Sequence, residues 1–366
     1  MPKASGTPAS TTAMRRGGPI DWPAAAMRLA EAFPRNRLDR ATLAWAEAAP
    51  AREPWAVALS GGADSLTALL LVWAYWPARR QRLRVLHFNH RLRGAAARAD
   101  ERFCARVAAA LGLTYRTGRW DEAPRQASEG EARAARQAFF DAELRRAKAR
   151  ALWLGHQMDD VAETMLMRLA RGSGSGGLAA PRPVQPLANG RVNLRPLLGI
   201  RKMEIVAALR AAGVPWREDA TNAGGDYFRN RIRHEVMPAW IEAAQRDALG
   251  GAALARRLLE EDDAALDAWL EEVATTTKTG ALSLRRLAGK PRALVRRALR
   301  RWLTGCAGVG ELSRQAFEAL LDDVLARRRT RHSIGAGCFA RITRSLVVSE
   351  RAAPRKISTG FHAPAN

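Results

Sequence analysis

Short apolar runs alternate with longer amphipathic runs between residues 55 and 170, and this alternation constrains the fold more than any other feature. The apolar runs have the length and composition of strands and span residues 56–60, 83–88, 113–117 and 152–155. The helical runs span residues 65–76, 95–111, 130–150 and 159–169. This order predicts an α/β fold, with a Rossmann-like parallel sheet and helices on both faces. Ligands of such a sheet bind at the carboxyl ends of its strands.

Helical periodicity replaces this alternation beyond residue 238. Apolar residues recur at helical spacing over residues 240–269, 291–303 and 313–327, which predicts a second, mainly helical domain. Glycine and β-branched residues near residues 330–350 predict a short terminal hairpin. We therefore expect four parts: a disordered tail and lead-in helix in 1–40, an α/β domain in 41–238, a helical domain with the hairpin in 239–350, and a polar tail in 351–366.

The net charge points to an acidic partner. The chain has 60 Lys and Arg residues against 36 Asp and Glu residues, a formal charge of +24. Basic surfaces attract phosphates through Coulomb forces and counterion release, so nucleic acid is the expected partner. A solvated surface with a composition bias is the alternative.

Cysteine usage and hydropathy indicate a cytoplasmic protein without a membrane segment. Cys104, Cys306 and Cys338 lie far apart, without metal-site spacing or a disulfide framework, which fits a reducing compartment. The longest apolar stretch, residues 66–78, is shorter than the roughly 20 residues that a membrane helix needs.

The motif SGGADS lies between the first predicted strand and the first predicted helix. It comprises Ser60, Gly61, Gly62, Ala63, Asp64 and Ser65. Glycines let a backbone approach an anion closely, and amides at a helix N-terminus point toward negative charge. We therefore expect the motif to bind the pyrophosphate of ATP; an ordinary capped turn is the alternative. No lysine follows the glycines, which removes the main support for a Walker A kinase or GTPase.

Two further polar motifs follow predicted strands. In GHQMDDVAET, His156, Asp159, Asp160 and Glu163 lie at a strand end and in the next helix, where carboxylates can hold Mg²⁺ against phosphates. Acidic residues also favour helix N-termini for purely structural reasons. In LHFNHRLRG, polar side chains suited to a nucleotide or polynucleotide leave an apolar strand. These side chains are His87, Asn89, His90 and Arg93.

Two later segments have polar or flexible character. The Gly, Ser and Pro-rich residues 171–186 predict a mobile loop, either a lid over a substrate or a linker. Arg229, Asn230 and Arg233 follow Tyr227 and Phe228, a combination that suits base stacking and phosphate pairing. A packed helix with a solvated basic face is the alternative for this segment.

Taken in order, these motifs resemble those of the tRNA(Ile)-lysidine synthetases, which are PP-loop ATP pyrophosphatases. The resemblance rests on SGGADS, HFNHRLRG, EARAARQAFF, GHQMDDVAETMLMRLARGSG, RPLL and DYFRNRIRHEVMP, over residues 54–240. It implies a PP-loop, adenine nucleotide α hydrolase-like catalytic domain in residues 41–238. It also implies a tRNA-binding role for residues 239–350.

The resemblance implies a defined reaction. ATP adenylylates the C2 oxygen of the wobble cytidine in a tRNA(Ile) with a CAU anticodon, releasing pyrophosphate. The side-chain amine of free L-lysine then displaces AMP and gives lysidine. ATP and Mg²⁺ are the implied cofactors, tRNA(Ile) and L-lysine are the implied partners, and a homodimer is left open.

The resemblance also assigns roles to residues. The implied catalytic residues are Asp64, His156 and Asp160, and the implied Mg²⁺ ligands are Asp64, Asp159 and Asp160. The implied ATP-binding residues are those of SGGADS together with His87 and Asn89. The implied substrate-binding and tRNA-binding residues are His90, Arg93, Arg133, Arg136, Glu163, Arg171, Arg195, Arg229, Asn230 and Arg233.

Other functions compete with this one. A PP-loop tRNA thiolase needs catalytic or cluster cysteines, and only Cys104 lies inside the predicted catalytic domain. PP-loop enzymes that form amides on small molecules have no need of the +24 charge. An RNA-binding protein without catalysis would explain the charge, but it would not account for SGGADS or the carboxylates.

Overall fold

The computed structural model describes residues 20–91, 94–121, 124, 128–218, 228–306, 309–310, 312–335 and 337–351. The chain divides into two compact units, Met1–Glu260 and Glu261–Asn366. The sequence changes character earlier, at residue 238, and the predicted domain roles stay predictions. Within the described ranges, every helix falls short of the length and apolar character needed to cross a membrane.

The first unit alternates helices and strands. In chain order its elements are α1 (Trp22–Ala32), α2 (Arg40–Ala48), β1 (Trp55–Ala58), α3 (Ala63–Tyr75), β2 (Leu83–Asn89), α4 (Ala95–Ala110), β3 (Thr114–Arg119), α5 (Glu129–Ala147), β4 (Ala151–Trp153), α6 (Met158–Ala170), α7 (Ser175–Leu178), β5 (Val184–Pro186), β6 (Val192–Leu194), α8 (Lys202–Ala211), α9 (Phe228–Arg231) and α10 (Met237–Ala244). A π-helical turn, Ile232–Val236, joins α9 to α10. Helix α11 (Ala248–Val273) includes the boundary between the two units.

The sheet of this unit has the strand order β3-β2-β1-β4-β6-β5, and all pairs are parallel except β5 with β6. Side chains on opposite faces of β1 enter different cores. Trp55 and Val57 pack with α3, whereas Ala56 packs with Phe140 of α5. Both faces are covered, which explains why the central strands β1 and β4 are entirely apolar. The predicted α/β fold is confirmed.

The structure differs from the sequence prediction in residues 171–194. Part of the predicted loop forms the short helix α7, and its end forms β5, which pairs antiparallel with β6. Each of these strands has three residues, too few for a period-two pattern to be recognised. Pro186 is tolerated because β5 is the edge strand of the sheet.

The second unit contains α12 (Arg292–Gly305), α13 (Arg314–Leu325) and four strands. The strands are β7 (Leu282–Ser283), β8 (Arg331–Gly335), β9 (Cys338–Ile342) and β10 (Leu346–Arg351), in the antiparallel order β7-β10-β9-β8. Apolar residues of both helices and of the sheet form one core. The predicted hairpin is therefore part of a larger sheet, because β10 continues from it and also pairs with the two-residue β7.

Candidate active site

The SGGADS motif forms a compact turn between β1 and α3, at the centre of the sheet. Gly61 has φ +93°, a left-handed conformation that favours glycine, and Gly62 is the N-cap of α3. The hydroxyl oxygens of Ser60 and Ser65 lie 2.9 Å apart, and the Ser60 N–H donates to Ser65 Oγ. The turn thus sets two hydroxyls beside the positive end of a helix, an arrangement suited to phosphate oxygens.

A second glycine brings another strand end against this turn. A Cβ atom on Gly155, which follows β4, would lie 2.5 Å from the carbonyl oxygen of Asp64. Such a contact with backbone cannot be accommodated without movement. Gly155 therefore lets the GHQMDD segment approach the first turn of α3.

A cavity of about 580 Å³ opens at this edge of the sheet. It combines apolar surface from the strands with polar groups from the turn, from the end of β2 and from α5. The predicted site residues that line it are Ser60, Gly62, Asp64, Ser65, His87, Asn89, His90, Arg133, Arg136, His156 and Arg195. A volume in this range is typical of small-ligand sites.

The remaining predicted residues do not line this cavity or lie outside the described residues. The cavity lining does not include Gly61, Ala63, Asp159, Asp160, Glu163, Arg171, Arg229, Asn230 or Arg233. Arg93 lies outside the described residues. Arg171 is the exposed C-cap residue of α6, and Asn230 lies in α9. The predicted roles of all these residues stay predictions.

The end of β2 is held by its own polar side chains. The ring Nδ1 of His87 lies 2.8 Å from the carbonyl oxygen of Leu59, just before the SGGADS turn. Asn89 donates to Glu101 Oε2 at 2.8 Å and accepts the Arg91 N–H at 2.8 Å. Both side chains are buried, so they fix the wall of the cavity beside the turn.

Asp64 forms an ion pair that the sequence did not reveal. The ammonium nitrogen of Lys202, the first residue of α8, lies 2.8 Å from both carboxylate oxygens of Asp64. The backbone N–H of Lys202 donates to Asp159 Oδ2 at 3.0 Å. Burial raises the pKa of Asp64, and the nearby ammonium opposes that rise. Lys202 is 138 residues from Asp64 in the chain, and no spacing rule links them.

His156 is neutral and points one ring nitrogen at an arginine. Arg195 Nε donates to His156 Nδ1 at 3.2 Å, so that nitrogen carries no proton and Nε2 does. Burial lowers the pKa of His156 well below its usual value, and the charges of Arg195, Arg229, Arg133 and Arg136 lower it further. The imidazole therefore offers a hydrogen-bond donor rather than a positive charge.

Arg195 is itself fixed by its other nitrogens. They donate to the carbonyl oxygen of Arg182 at 2.6 Å and to Gln185 Oε1 at 2.8 Å. Burial and neighbouring arginines lower the pKa of Arg195 to about 10, so it keeps its charge at neutral pH. Arg133 and Arg136 of α5 line the same cavity and make this wall strongly basic.

Asp160 and Glu163 form a carboxylate–arginine cluster with Arg229 and Arg233. Arg229 donates to Asp160 Oδ1 at 2.7 Å and to Glu163 Oε2 at 2.9 Å. Arg233 donates to Glu163 Oε1 at 2.6 Å. The other oxygen of Asp160 accepts the backbone N–H of Gln157 at 3.0 Å. The oxygens of both carboxylates are thus engaged within the protein.

The three predicted Mg²⁺ ligands do not converge. Among the described residues, no three His, Cys, Asp or Glu side chains lie close enough together to hold a metal ion. Asp64 alone of the three lines the cavity, and it already binds one cation. Protein sites for Mg²⁺ often supply one or two carboxylates while substrate phosphates supply further ligands. The residues present fit a Mg²⁺ ion of that kind at Asp64.

Two protein families match parts of the chain. The PP-loop domain family matches residues 35–240, which is more than half of the chain. The TilS substrate binding domain family matches residues 282–345.

Two curated relatives of the chain are tRNA(Ile)-lysidine synthases. The chain is 38% identical to the tRNA(Ile)-lysidine synthase of Geobacter sulfurreducens over 276 residues, 72% of this chain and 56% of that protein. It is 43% identical to the tRNA(Ile)-lysidine synthase of Symbiobacterium thermophilum over 212 residues, 57% of this chain and 44% of that protein. The chain spans about half the length of the curated relatives it matches.

A solved structure, that of the U34-tRNA thiolase NcsA from Methanococcus maripaludis, is 17% identical with a TM-score of 0.49, covering 64% of this chain and 78% of that one. The predicted resemblance to tRNA(Ile)-lysidine synthetases is confirmed by the curated relatives. The turn between β1 and α3, the parallel sheet and the domain match together show that the chain belongs to the PP-loop family.

Proposed function

We propose that the protein ligates L-lysine to C2 of the wobble cytidine in tRNA(Ile) with a CAU anticodon. The reaction uses ATP and yields lysidine, AMP and pyrophosphate through an adenylylated tRNA. The observation that carries this proposal is the cavity at the SGGADS turn, which joins a phosphate-binding turn to a wall of arginines. A site for ATP beside a basic wall suits an enzyme that adenylylates RNA.

The turn accounts for the first half of the reaction. Cytidine O2 is a poor leaving group as it stands, and adenylylation converts it into a better one. The amides at the start of α3 and the hydroxyls of Ser60 and Ser65 stabilise the negative charge that develops on departing pyrophosphate. Asp64 would hold a Mg²⁺ ion there, and such an ion would supply further positive charge.

His156 and Arg195 account for the orientation of the reacting groups. The protonated Nε2 of His156 is available to donate a hydrogen bond to an oxygen of a ligand in the cavity, and Arg195 fixes the ring at its other nitrogen. Because His156 is neutral, it contributes no charge that would repel the lysine ammonium. Arg133 and Arg136 attract the phosphates of the RNA strand that carries the cytidine.

Lysine enters as an ammonium and must lose a proton in the site, because only the unprotonated nitrogen is nucleophilic. We assign the proton acceptor to a carboxylate near the cavity, without choosing among Asp64, Asp159, Asp160 and Glu163. Self-association as a homodimer stays a prediction, and the mass of the protein in solution decides it.

The thiolase alternative has little support from Cys104. Its side chain is fully buried behind the SGGADS turn, and its sulfur lies 3.7 Å from the carbonyl oxygen of Leu59. Burial raises the pKa of this thiol to about 12, whereas a sulfur-transfer nucleophile needs a thiolate. The proposal of lysine transfer does not need a reactive cysteine.

The test is incorporation of labelled lysine into RNA. The purified protein with ATP, Mg²⁺, lysine and a tRNA(Ile) transcript bearing CAU is expected to attach lysine to the transcript. A transcript that differs only by uridine at the wobble position serves as the control and should take up none. Equal uptake by both transcripts, or sulfur transfer without lysine uptake, would exclude the proposed reaction.

A further inference from the structure

The Lys202–Asp64 ion pair has the geometry of a cation site. The ammonium nitrogen lies at an equal distance, 2.8 Å, from both oxygens of one carboxylate. Asp64 lies in the first turn of α3, and it lines the cavity together with Ser60 and Ser65. A lysine therefore places positive charge at the carboxylate that would hold the Mg²⁺ ion of the proposed function.

The backbone of Lys202 is fixed although its side chain reaches into solvent. Its N–H donates to Asp159 Oδ2, and the nearby Met158 N–H donates to the carbonyl oxygen of Ile200 at 2.9 Å. These bonds fasten the start of α8 to the start of α6. The side chain of Lys202 is 41% exposed, so its ammonium can change partner without any change in the fold.

Two cations compete for this one carboxylate. A Mg²⁺ ion that bound Asp64 would stand within a few ångströms of the Lys202 ammonium, and the two positive charges would repel each other. The ammonium then needs another anion within reach of its four-carbon stem. The phosphates of a nucleotide on the SGGADS turn are such an anion, because that turn and Asp64 line the same cavity.

We propose that Lys202 is an exchangeable cation at Asp64. Its ammonium holds the carboxylate when nucleotide is absent, and it moves to the triphosphate when Mg²⁺ takes its place. Lys202 thus acts in two ways: it orients the Asp64 carboxylate through contacts with both oxygens, and it then binds the pyrophosphate portion of ATP. This inference rests on the ATP site of the proposed function, but it requires neither lysine transfer nor tRNA.

The test is nucleotide binding without tRNA or lysine, measured by calorimetry with α,β-methylene-ATP over a range of Mg²⁺ concentrations. Lys202→Met is expected to weaken binding at saturating Mg²⁺ about 10-fold, because a charged contact with phosphate is lost. The same substitution should lower the half-saturating Mg²⁺ concentration about 3-fold or more, because no ammonium competes for Asp64. Nucleotide binding thus becomes weaker while Mg²⁺ binding becomes tighter, a combination that the loss of a merely structural lysine would not produce.

Three further variants complete the test. Lys202→Arg retains a cation and should keep the Mg²⁺ midpoint of the wild type, whereas Lys202→Gln should behave like Lys202→Met and serves if the latter folds poorly. Lys278→Met removes an exposed lysine of the second unit and should change neither quantity. An unchanged Mg²⁺ midpoint in both neutral variants would overturn the proposal. Failure of lysine incorporation, with these binding shifts present, would count against the proposed function alone.

Discussion

The cavity at the SGGADS turn and the carboxylate–arginine cluster on α6 lie near each other in the first unit but differ in how their polar groups are used. In the cavity, the hydroxyls of Ser60 and Ser65 and the imidazole of His156 face space that a ligand can enter. In the cluster, both oxygens of Asp160 and of Glu163 bind groups of the protein itself. Polar density in a sequence motif is therefore compatible both with the lining of a cavity and with an internal ion-pair network.

Removal of the Asp64 charge should reduce the rate of catalysis more than any of the other substitutions below. Asp64→Asn should reduce pyrophosphate release about 10³-fold or more, because the carboxylate beside the phosphate site loses its charge. The substitution should leave tRNA binding and the melting temperature nearly unchanged, since the Lys202 pair is partly solvated. Pyrophosphate release and tRNA affinity measured on the same preparation check this, with Glu31→Gln on the exposed face of α1 as the charge-matched control. Retained turnover would contradict the assigned role.

A substitution in the carboxylate–arginine cluster should instead lower the stability of the protein. Glu163→Gln leaves Arg229 and Arg233 without their shared buried carboxylate, and we expect the free energy of unfolding to fall by about 3 kcal/mol. Urea unfolding of this variant measures the loss. Glu235→Gln, an exposed substitution nearby, should change stability by about 0.5 kcal/mol or less. Equal losses in the two variants would show that the cluster is not a stabilising network.

A substitution at Gly155 tests how closely the GHQMDD segment approaches α3. Gly155→Ala places a methyl group 2.5 Å from the Asp64 carbonyl oxygen, so the GHQMDD segment must shift away from α3. We expect ATP cleavage to fall about 10²-fold, because a displacement of about 1 Å in a catalytic arrangement has effects of that size. Gly199→Ala meets no atom within 4 Å and is the matched control. Similar activity in both variants would refute the close approach.

The smallest expected effect is a pH dependence of stability at His156. Its pKa lies well below 6.5 in the folded protein, so only the unfolded chain takes up a proton as the pH falls below about 6.5. The stabilisation is complete above that pH and is lost below it, by at most about 1.4 kcal/mol per pH unit. Unfolding by urea at pH 7.5, 6.5 and 5.5 should show a shallower loss for His156→Gln than for the wild type. Identical losses would mean that the histidine is not buried in its neutral form.

The fold and the turn at its centre could be predicted from the sequence because their signals are local. The strand, the glycines and the helix of the SGGADS region follow one another directly, and β1, β2 and β4 lie in largely apolar runs. Strands β5 and β6 were not predicted because each has three residues and includes a polar one, so that neither forms an apolar run like that of the equally short β4.

The pairing of side chains could not be predicted in the same way. Asp64 and Lys202 are 138 residues apart, and Asp160 and Arg229 are 69 residues apart, so only the folded chain brings them together. Asp160 and Glu163 follow His156 closely in sequence. They lie on one face of α6 by helical spacing, and that face meets Arg229 and Arg233 rather than the cavity.

The adenine product shows which bond of ATP is cleaved, since a PP-loop site that adenylylates RNA must break ATP between its α and β phosphates. Chromatography of reactions that contain ATP, Mg²⁺, lysine and the CAU transcript should yield AMP and pyrophosphate in amounts equal to the lysine incorporated. Omission of the transcript should suppress both products. Formation of ADP and inorganic phosphate, or of AMP at the same rate without the transcript, would contradict the account.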